Sequence, residues 1–184
     1  MTTILPLKVI NLWSGPGGGK STTAAGLFNI MKHMRLDVEL VTEVAKDRVY
    51  AKDFQTLGNQ LLITAEQDER LRRLVGKAEW AITDSPLPIA RAYMSPEYAD
   101  WLPRAITPRY HQYDNYSVLL YRSKGYSMLG RTQTLEQAKA LDITISHLCE
   151  EYSWGREPLR TPGDPDAPRR IIEWLSSRNA LPTC

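Results

Sequence analysis

Apolar residues fall into short runs that alternate with stretches of helical spacing. Lys8–Trp13 is a short apolar run ending at Ser14, which predicts a strand buried on both faces of a parallel sheet. A glycine-rich loop follows, and Ser21–Met34 reads as a helix. Val38–Thr42 predicts a second strand and Ala45–Asp53 a short helix. Over Thr56–Lys77 the apolar positions Leu57, Leu61, Leu62, Ala65, Leu71, Leu74 and Val75 predict one long helix, with Gly76 near its end. Trp80–Thr83 predicts a third strand. Residues 86–116 carry Pro86, Pro88, Pro96, Pro103 and Pro108, so helices there are expected to be short. Ser117–Tyr121 predicts a fourth strand, and 122–133 a polar loop. Thr134–Tyr152 predicts a helix with Thr134 as N-cap. Glu157–Thr161 predicts a last short strand, Thr161–Pro165 a turn, and Asp166–Arg178 a terminal helix. Strands alternating with helices imply an α/β fold: a three-layer arrangement in which helices flank a parallel sheet.

The length of 184 residues fits one domain over 1–184, with a substrate-side helical region at about 86–116 and a lid at about 122–133. Net charge is only +2, so global charge says little for a nucleic-acid partner. Its distribution says more. Residues 36–84 hold seven Lys/Arg against ten Asp/Glu, whereas 104–131 hold Arg104, Arg109, Arg122, Lys124 and Arg131 against Asp114 alone. Cys149 and Cys184 form no CxxC and lack zinc-ligand spacing with His33, His111 and His147. No leader-like start and no bilayer-length apolar stretch is seen, so a cytoplasmic protein with no membrane partner is expected.

The most specific motif is Ser14-Gly15-Pro16-Gly17-Gly18-Gly19-Lys20-Ser21-Thr22. It follows the pattern G-x-x-x-x-G-K-[ST], with Ser14 replacing the first glycine. Glycines let consecutive N–H groups converge on one anion, and the helix beginning there adds its positive end. Gly15 to Thr22 would cradle the phosphates of ATP. Lys20 would bridge the β- and γ-phosphates, and the Ser21 hydroxyl would bind Mg²⁺.

Ligands of open parallel sheets bind beyond the carboxyl ends of the strands. Asp84 ends the third strand, where it would hold Mg²⁺ directly or through water; the plainer reading makes it a helix cap. Glu43 ends the second strand, where it could accept a proton from an attacking hydroxyl. Asp47 lies one helical turn on and shares that candidacy. Arg122, Lys124, Arg131 and Gln133 lie in the glycine-containing segment after the fourth strand, placed as a basic lid over the transferred phosphate. The middle of the chain mixes Arg91, Arg104 and Arg109 with Tyr93, Tyr98, Trp101, Tyr110, His111, Tyr113 and Tyr116. Aromatic faces stack on bases and arginines meet phosphates, so Arg91, Tyr93, Arg104 and Arg109 are candidate acceptor contacts. The plainer reading puts the aromatics in a core.

Four motifs then carry a resemblance: residues 14–22, Glu-Val-Ala-Lys-Asp at 43–47, Thr-Asp-Ser-Pro-Leu at 83–87 and Gly-Arg-Thr-Gln-Thr at 130–134. With them the chain resembles small P-loop kinases of the nucleoside/nucleotide kinase superfamily, particularly bacteriophage versions. It is most similar to kinases that phosphorylate 5-hydroxymethyluracil within DNA, a step in thymine hypermodification. The resemblance implies ATP and Mg²⁺ as cofactors, and DNA containing a modified pyrimidine as partner. It implies Glu43 or Asp47 activating the hydroxymethyl oxygen, Arg131 acting from the lid, and the Thr161–Pro165 turn beside the adenine. Three alternatives stand beside it: a nucleoside or nucleoside monophosphate kinase, a polynucleotide 5′-hydroxyl kinase, and a P-loop ATPase or nucleotide-binding regulator. A DNA acceptor predicts an open groove; a free nucleoside predicts a closed pocket.

Overall fold

The computed structural model describes residues 5–123, 125 and 134–181. Five strands, β1 (Lys8–Trp13), β2 (Val38–Val41), β3 (Trp80–Thr83), β4 (Asp114–Tyr121) and β5 (Leu159–Pro162), form one sheet in the order β2-β3-β1-β4-β5. Every pairing is parallel. All the strand carboxyl ends therefore open on one edge, where a ligand can meet loops from several crossovers. Strands β1 and β3 are apolar and buried along almost their whole length, as a sheet covered on both faces requires.

One face of the sheet is covered by α1 (Lys20–His33) and α7 (Ala167–Ser177). Leu27 and Met31 of α1, and Ile171 and Leu175 of α7, pack on Ile10, Leu12, Ile82 and Val118. The other face carries α5 (Leu102–Tyr110), α6 (Leu135–Tyr152) and a 3₁₀ helix over Leu87–Ala92. There Ile106, Tyr110, Ile145 and Leu148 cluster with Val9, Trp13 and Leu119. Thr134 caps α6 through a reciprocal capping box with Gln137.

The expected single helix over Thr56–Lys77 is two: α3 (Phe54–Gly58) and α4 (Gln60–Arg72), after α2 (Val44–Tyr50). Asn59 causes the break. Its side chain accepts the Leu62 amide at 3.2 Å, and its backbone leaves the helical region at φ −91°, ψ 89°. A short polar side chain offers the backbone this local partner, and so starts a new helix. The break also turns the helix. The buried stripe of α4 is Gln60, Ile63, Gln67 and Leu71, while Leu61 and Leu62 stay exposed.

The fourth strand begins at Asp114, three residues before the expected start, because Asp114 to Tyr116 pair in register with Lys8 to Ile10. The last strand runs Leu159–Pro162 rather than 157–161. Between residues 86 and 116 the helices are short, as the prolines require: Leu87–Ala92, Pro96–Tyr98 and α5. No helix among the described residues is long and apolar enough to cross a membrane.

Candidate active site

The phosphate loop leaves β1 and enters α1 at Gly19, whose φ of 101° is left-handed. A side chain at Gly19 would also drive its Cβ to 2.6 Å from the Gly163 carbonyl oxygen. Glycine is thus required twice over, by conformation and by close approach. Gly163 belongs to the turn after β5 and is held there by its N–H donating to the Tyr121 carbonyl at 2.9 Å. That turn, the one expected beside the adenine, therefore packs directly on the phosphate loop.

Lys20 extends its ammonium along the loop and donates to the carbonyls of Ser14 at 2.7 Å and Gly15 at 3.3 Å. These contacts hold its charge at the stem of the loop, and Lys20 lines the cavity with Ser21 and Thr22, the residues that supply the first-turn amides of α1. Those amides have no carbonyl one turn back within the helix and point towards the loop. Ser14 stands where the pattern has glycine, and its side chain is buried against Gly18.

The Ser21 hydroxyl donates to Asp84 Oδ2 at 2.6 Å. Asp84 is 4 % exposed, and its other oxygen, Oδ1, is buried with no hydrogen-bond partner among the described residues. An orphaned buried carboxylate oxygen beside a hydroxyl is a hard-oxygen donor set of the kind that would suit a Mg²⁺ ion. Asp84 does not cap a helix; Pro86 occupies the cap position of the following 3₁₀ helix.

Glu43 sits at the N-cap position of α2 but makes no side-chain cap bond. Its carboxyl instead borders a cavity of about 420 Å³ that starts at Lys20, Ser21 and Thr22. Burial raises the Glu43 carboxyl above the usual carboxylate range; Lys20 opposes the rise and Asp84 adds to it. Asp47 points elsewhere. It is exposed, its carboxylate is held by Arg70 Nη2 at 2.8 Å, and it does not line the cavity. Of the two acids that the spacing left open, Glu43 is the one that faces the phosphate loop across the cavity.

Three cavity-side features escaped the sequence. Gln67, 3 % exposed, accepts the Val44 amide at 3.1 Å. It also donates to the Thr42 carbonyl and the Thr83 hydroxyl, each at 3.4 Å. One buried amide thus ties the residues flanking Glu43 to the residue before Asp84. Arg70, one turn along α4, holds the Thr42 carbonyl at 3.1 Å and Asp47. Gln60 and Thr64 line the cavity opposite Leu87, Ile89 and Tyr93. The signal for Gln60 and Gln67 was a pair of polar residues on the buried stripe of a helix, hidden because the stripe itself was misplaced.

The basic residues divide. Arg122 does not reach into the cavity; it donates to the Pro16 carbonyl at 2.9 Å and to Asp142 at 2.8 Å. Lys124, Arg131 and Gln133 lie outside the described residues. Arg91 pairs with Glu151 and contacts Tyr152, and with exposed Arg104 it lines a separate groove. Arg109 pairs with Asp68 at 2.9 Å. Of the four candidate acceptor contacts only Tyr93 lines the cavity. Tyr110, Tyr113 and Tyr116 are core residues.

A family model described as an AAA domain matches residues 9–164. No curated protein matches the sequence. Among solved structures, a deoxyadenosine kinase from M. mycoides with the products dCMP and a flexible dCDP bound is similar at a TM-score of 0.59 and 14% identity, over 94% of this chain and 100% of that one. The same enzyme with bound dATP is similar at 0.57 and 14%, over 92% and 98%. At that identity the likeness establishes the shared fold.

Proposed function

The chain belongs to the AAA-domain family, matched over most of its length, and on that premise we propose that it is an ATP-dependent kinase that phosphorylates a hydroxyl group of a nucleoside. The observation that carries the reading is the single cavity joining the phosphate loop to Glu43. Its volume of about 420 Å³ suits a small organic ligand. Its walls combine apolar Leu57, Ile63 and Ile89 with the polar groups of Gln60 and Thr64, a mixture that suits a base and sugar. The similar solved structures are of a deoxyadenosine kinase, which supports a nucleoside as acceptor.

In the proposed reaction the loop and Lys20 hold the triphosphate with its γ-phosphorus facing the acceptor. The acceptor oxygen forms a bond to that phosphorus while the bond to the β-bridging oxygen breaks, its electron pair leaving with ADP. The acceptor hydroxyl proton passes to the Glu43 carboxylate. Ser21 and Asp84 would hold Mg²⁺, which neutralises charge on the β- and γ-phosphates. Asp84→Asn is expected to raise the Mg²⁺ concentration for half-maximal activity by about tenfold, as loss of a metal-orienting group does. An unchanged Mg²⁺ dependence would remove Asp84 from this role.

A second reading, transfer to 5-hydroxymethyluracil within DNA, draws on Tyr50 and Phe54. Both are well exposed, on helices whose Val49 and Leu57 line the cavity, and exposed aromatic faces can stack on flanking bases. Against it, Arg91 and Arg109 are engaged with Glu151 and Asp68 rather than facing the cavity. Labelled γ-phosphate transfer to free nucleosides, nucleoside monophosphates, 5′-hydroxyl DNA ends and DNA containing 5-hydroxymethyluracil separates the readings. Transfer to nucleosides that is little affected by salt is the expected result. Transfer confined to the modified DNA and lost at raised salt establishes the second reading. Steady ATP hydrolysis indifferent to every acceptor would instead mark an ATPase.

A further inference from the structure

Asp142 lies in the middle of α6, 127 positions from the loop that it touches. Its Oδ1 accepts the Gly15 N–H at 3.0 Å. Its Oδ2 accepts from Arg122 Nη2 at 2.8 Å. The other arm of that guanidinium donates to the Pro16 carbonyl at 2.9 Å. Gly15 also sits so close to α6 that a Cβ there would fall 2.3 Å from Asp142 Oδ1 and 2.9 Å from the Ala138 carbonyl oxygen. Both ends of the Gly15–Pro16 segment are therefore gripped from one carboxylate, directly at Gly15 and through Arg122 at Pro16.

The loop needs such a grip. Three consecutive glycines follow, Gly17 to Gly19, and glycine loses more backbone freedom on ordering than any other residue. Inside the loop, the described bonds are those of Lys20 to the Ser14 and Gly15 carbonyls, and of the Gly18 N–H to the Gly15 carbonyl at 3.2 Å. All of them converge on the Ser14–Gly15 stem. Fixing that stem fixes the origin from which the later amides are aimed, and a site ordered beforehand loses less free energy when ligand binds.

We infer that Asp142 is a positioning residue for ATP: with Arg122 it holds the phosphate loop in its binding shape, without touching the nucleotide. The inference rests on ATP binding at the phosphate loop and is independent of which acceptor is used. The sign of the effect separates it from simple electrostatics. A carboxylate near a triphosphate repels it, so a purely Coulombic role predicts tighter ATP binding once Asp142 is neutralised. Positioning predicts weaker binding.

The test uses the full chain and measures ATP binding by calorimetry, with thermal unfolding and initial rates alongside. Asp142→Ala is expected to raise the Kd for ATP by about tenfold while the KM for the acceptor changes by less than about twofold. Asp142→Asn keeps an acceptor oxygen for the Gly15 N–H but loses the charge that holds Arg122, so its Kd should fall between the two. It also serves if the alanine variant does not fold. In the double variant with Arg122→Ala, the loss should be smaller than the product of the two single losses, because the residues act as one unit. ATP affinity that is unchanged or tighter in both Asp142 variants overturns the inference, whatever happens to Tm. So does a double variant whose losses multiply. A wild-type chain that binds no ATP would remove the nucleotide reading itself and this inference with it.

Discussion

Lys20→Ala is expected to lower kcat/KM for phosphoryl transfer by roughly 10³-fold, the scale on which positive charge at a transferring phosphoryl group acts. The cause lies in where the ammonium is held. Two main-chain carbonyls, of Ser14 and Gly15, fix it at the stem of the loop, beside amides that can address the same phosphates. In the proposed reaction the alanine variant loses the charge that would meet the γ-phosphate. It also leaves those two carbonyls to be met by water, at a cost in stability of about 1 kcal/mol. Tm should therefore move little while transfer collapses. Lys20→Arg should not rescue, since a planar guanidinium cannot replace a compact ammonium seated on two carbonyls. Transfer from labelled ATP, measured beside a melting curve, checks both halves. An alanine variant that unfolds near the wild-type Tm and still transfers phosphate would move the donor site elsewhere.

How far such a site can be read in a sequence depends on the range of the interactions that build it. The phosphate loop was legible because its chemistry is local: Gly19 needs its left-handed φ, and Lys20 and Ser21 follow at fixed spacing. Asp84 was legible because strand ends share one edge of a parallel sheet. Spacing alone placed Glu43 ahead of Asp47 without deciding between them. What separates them is Arg70, more than twenty residues away, which engages Asp47 and leaves Glu43 facing the cavity. Helix α4 shows the same limit. Leu61 and Leu62 suggested its buried face, but the bond from Leu62 to Asn59 restarts the helix and turns Gln60 and Gln67 inward instead. In the aromatic and basic middle the plainer reading, a core for the aromatics, holds for Tyr110, Tyr113 and Tyr116, while Arg91 and Arg109 meet acidic partners of their own, Glu151 and Asp68. Composition registers that these groups exist; only tertiary partners decide whether they are available to a ligand.

Glu43→Gln is expected to cost between about 10² and 10⁴ in kcat, the range for loss of a positioned general base, and to raise stability at pH values above the Glu43 titration. Both follow from one fact: burial lifts the Glu43 carboxyl above its ordinary value of 4.5. As a base, Glu43 works only when ionised, so wild-type kcat should fall as pH drops through this raised value, above the range of a free carboxylate. Glutamine has no proton to take up, so the residual activity of the variant should lack that acid limb. For stability the sign runs the other way. The folded state binds the Glu43 proton more tightly than the unfolded chain, so this group's contribution is fully present below 4.5 and is lost as pH rises through the folded value. Above its raised value the wild type carries a carboxylate that its surroundings disfavour, and the neutral amide relieves that burden. The variant should therefore melt higher than wild type at pH values above the Glu43 titration, with the difference closing as pH falls through it. ATP affinity should be largely retained, because the loop, Lys20 and Ser21 are untouched. A variant that keeps the wild-type kcat with its acid limb intact would exclude Glu43 as the base. A lower Tm throughout the alkaline range would show that the carboxylate is stabilised where it lies, and would remove the reason for its raised proton affinity.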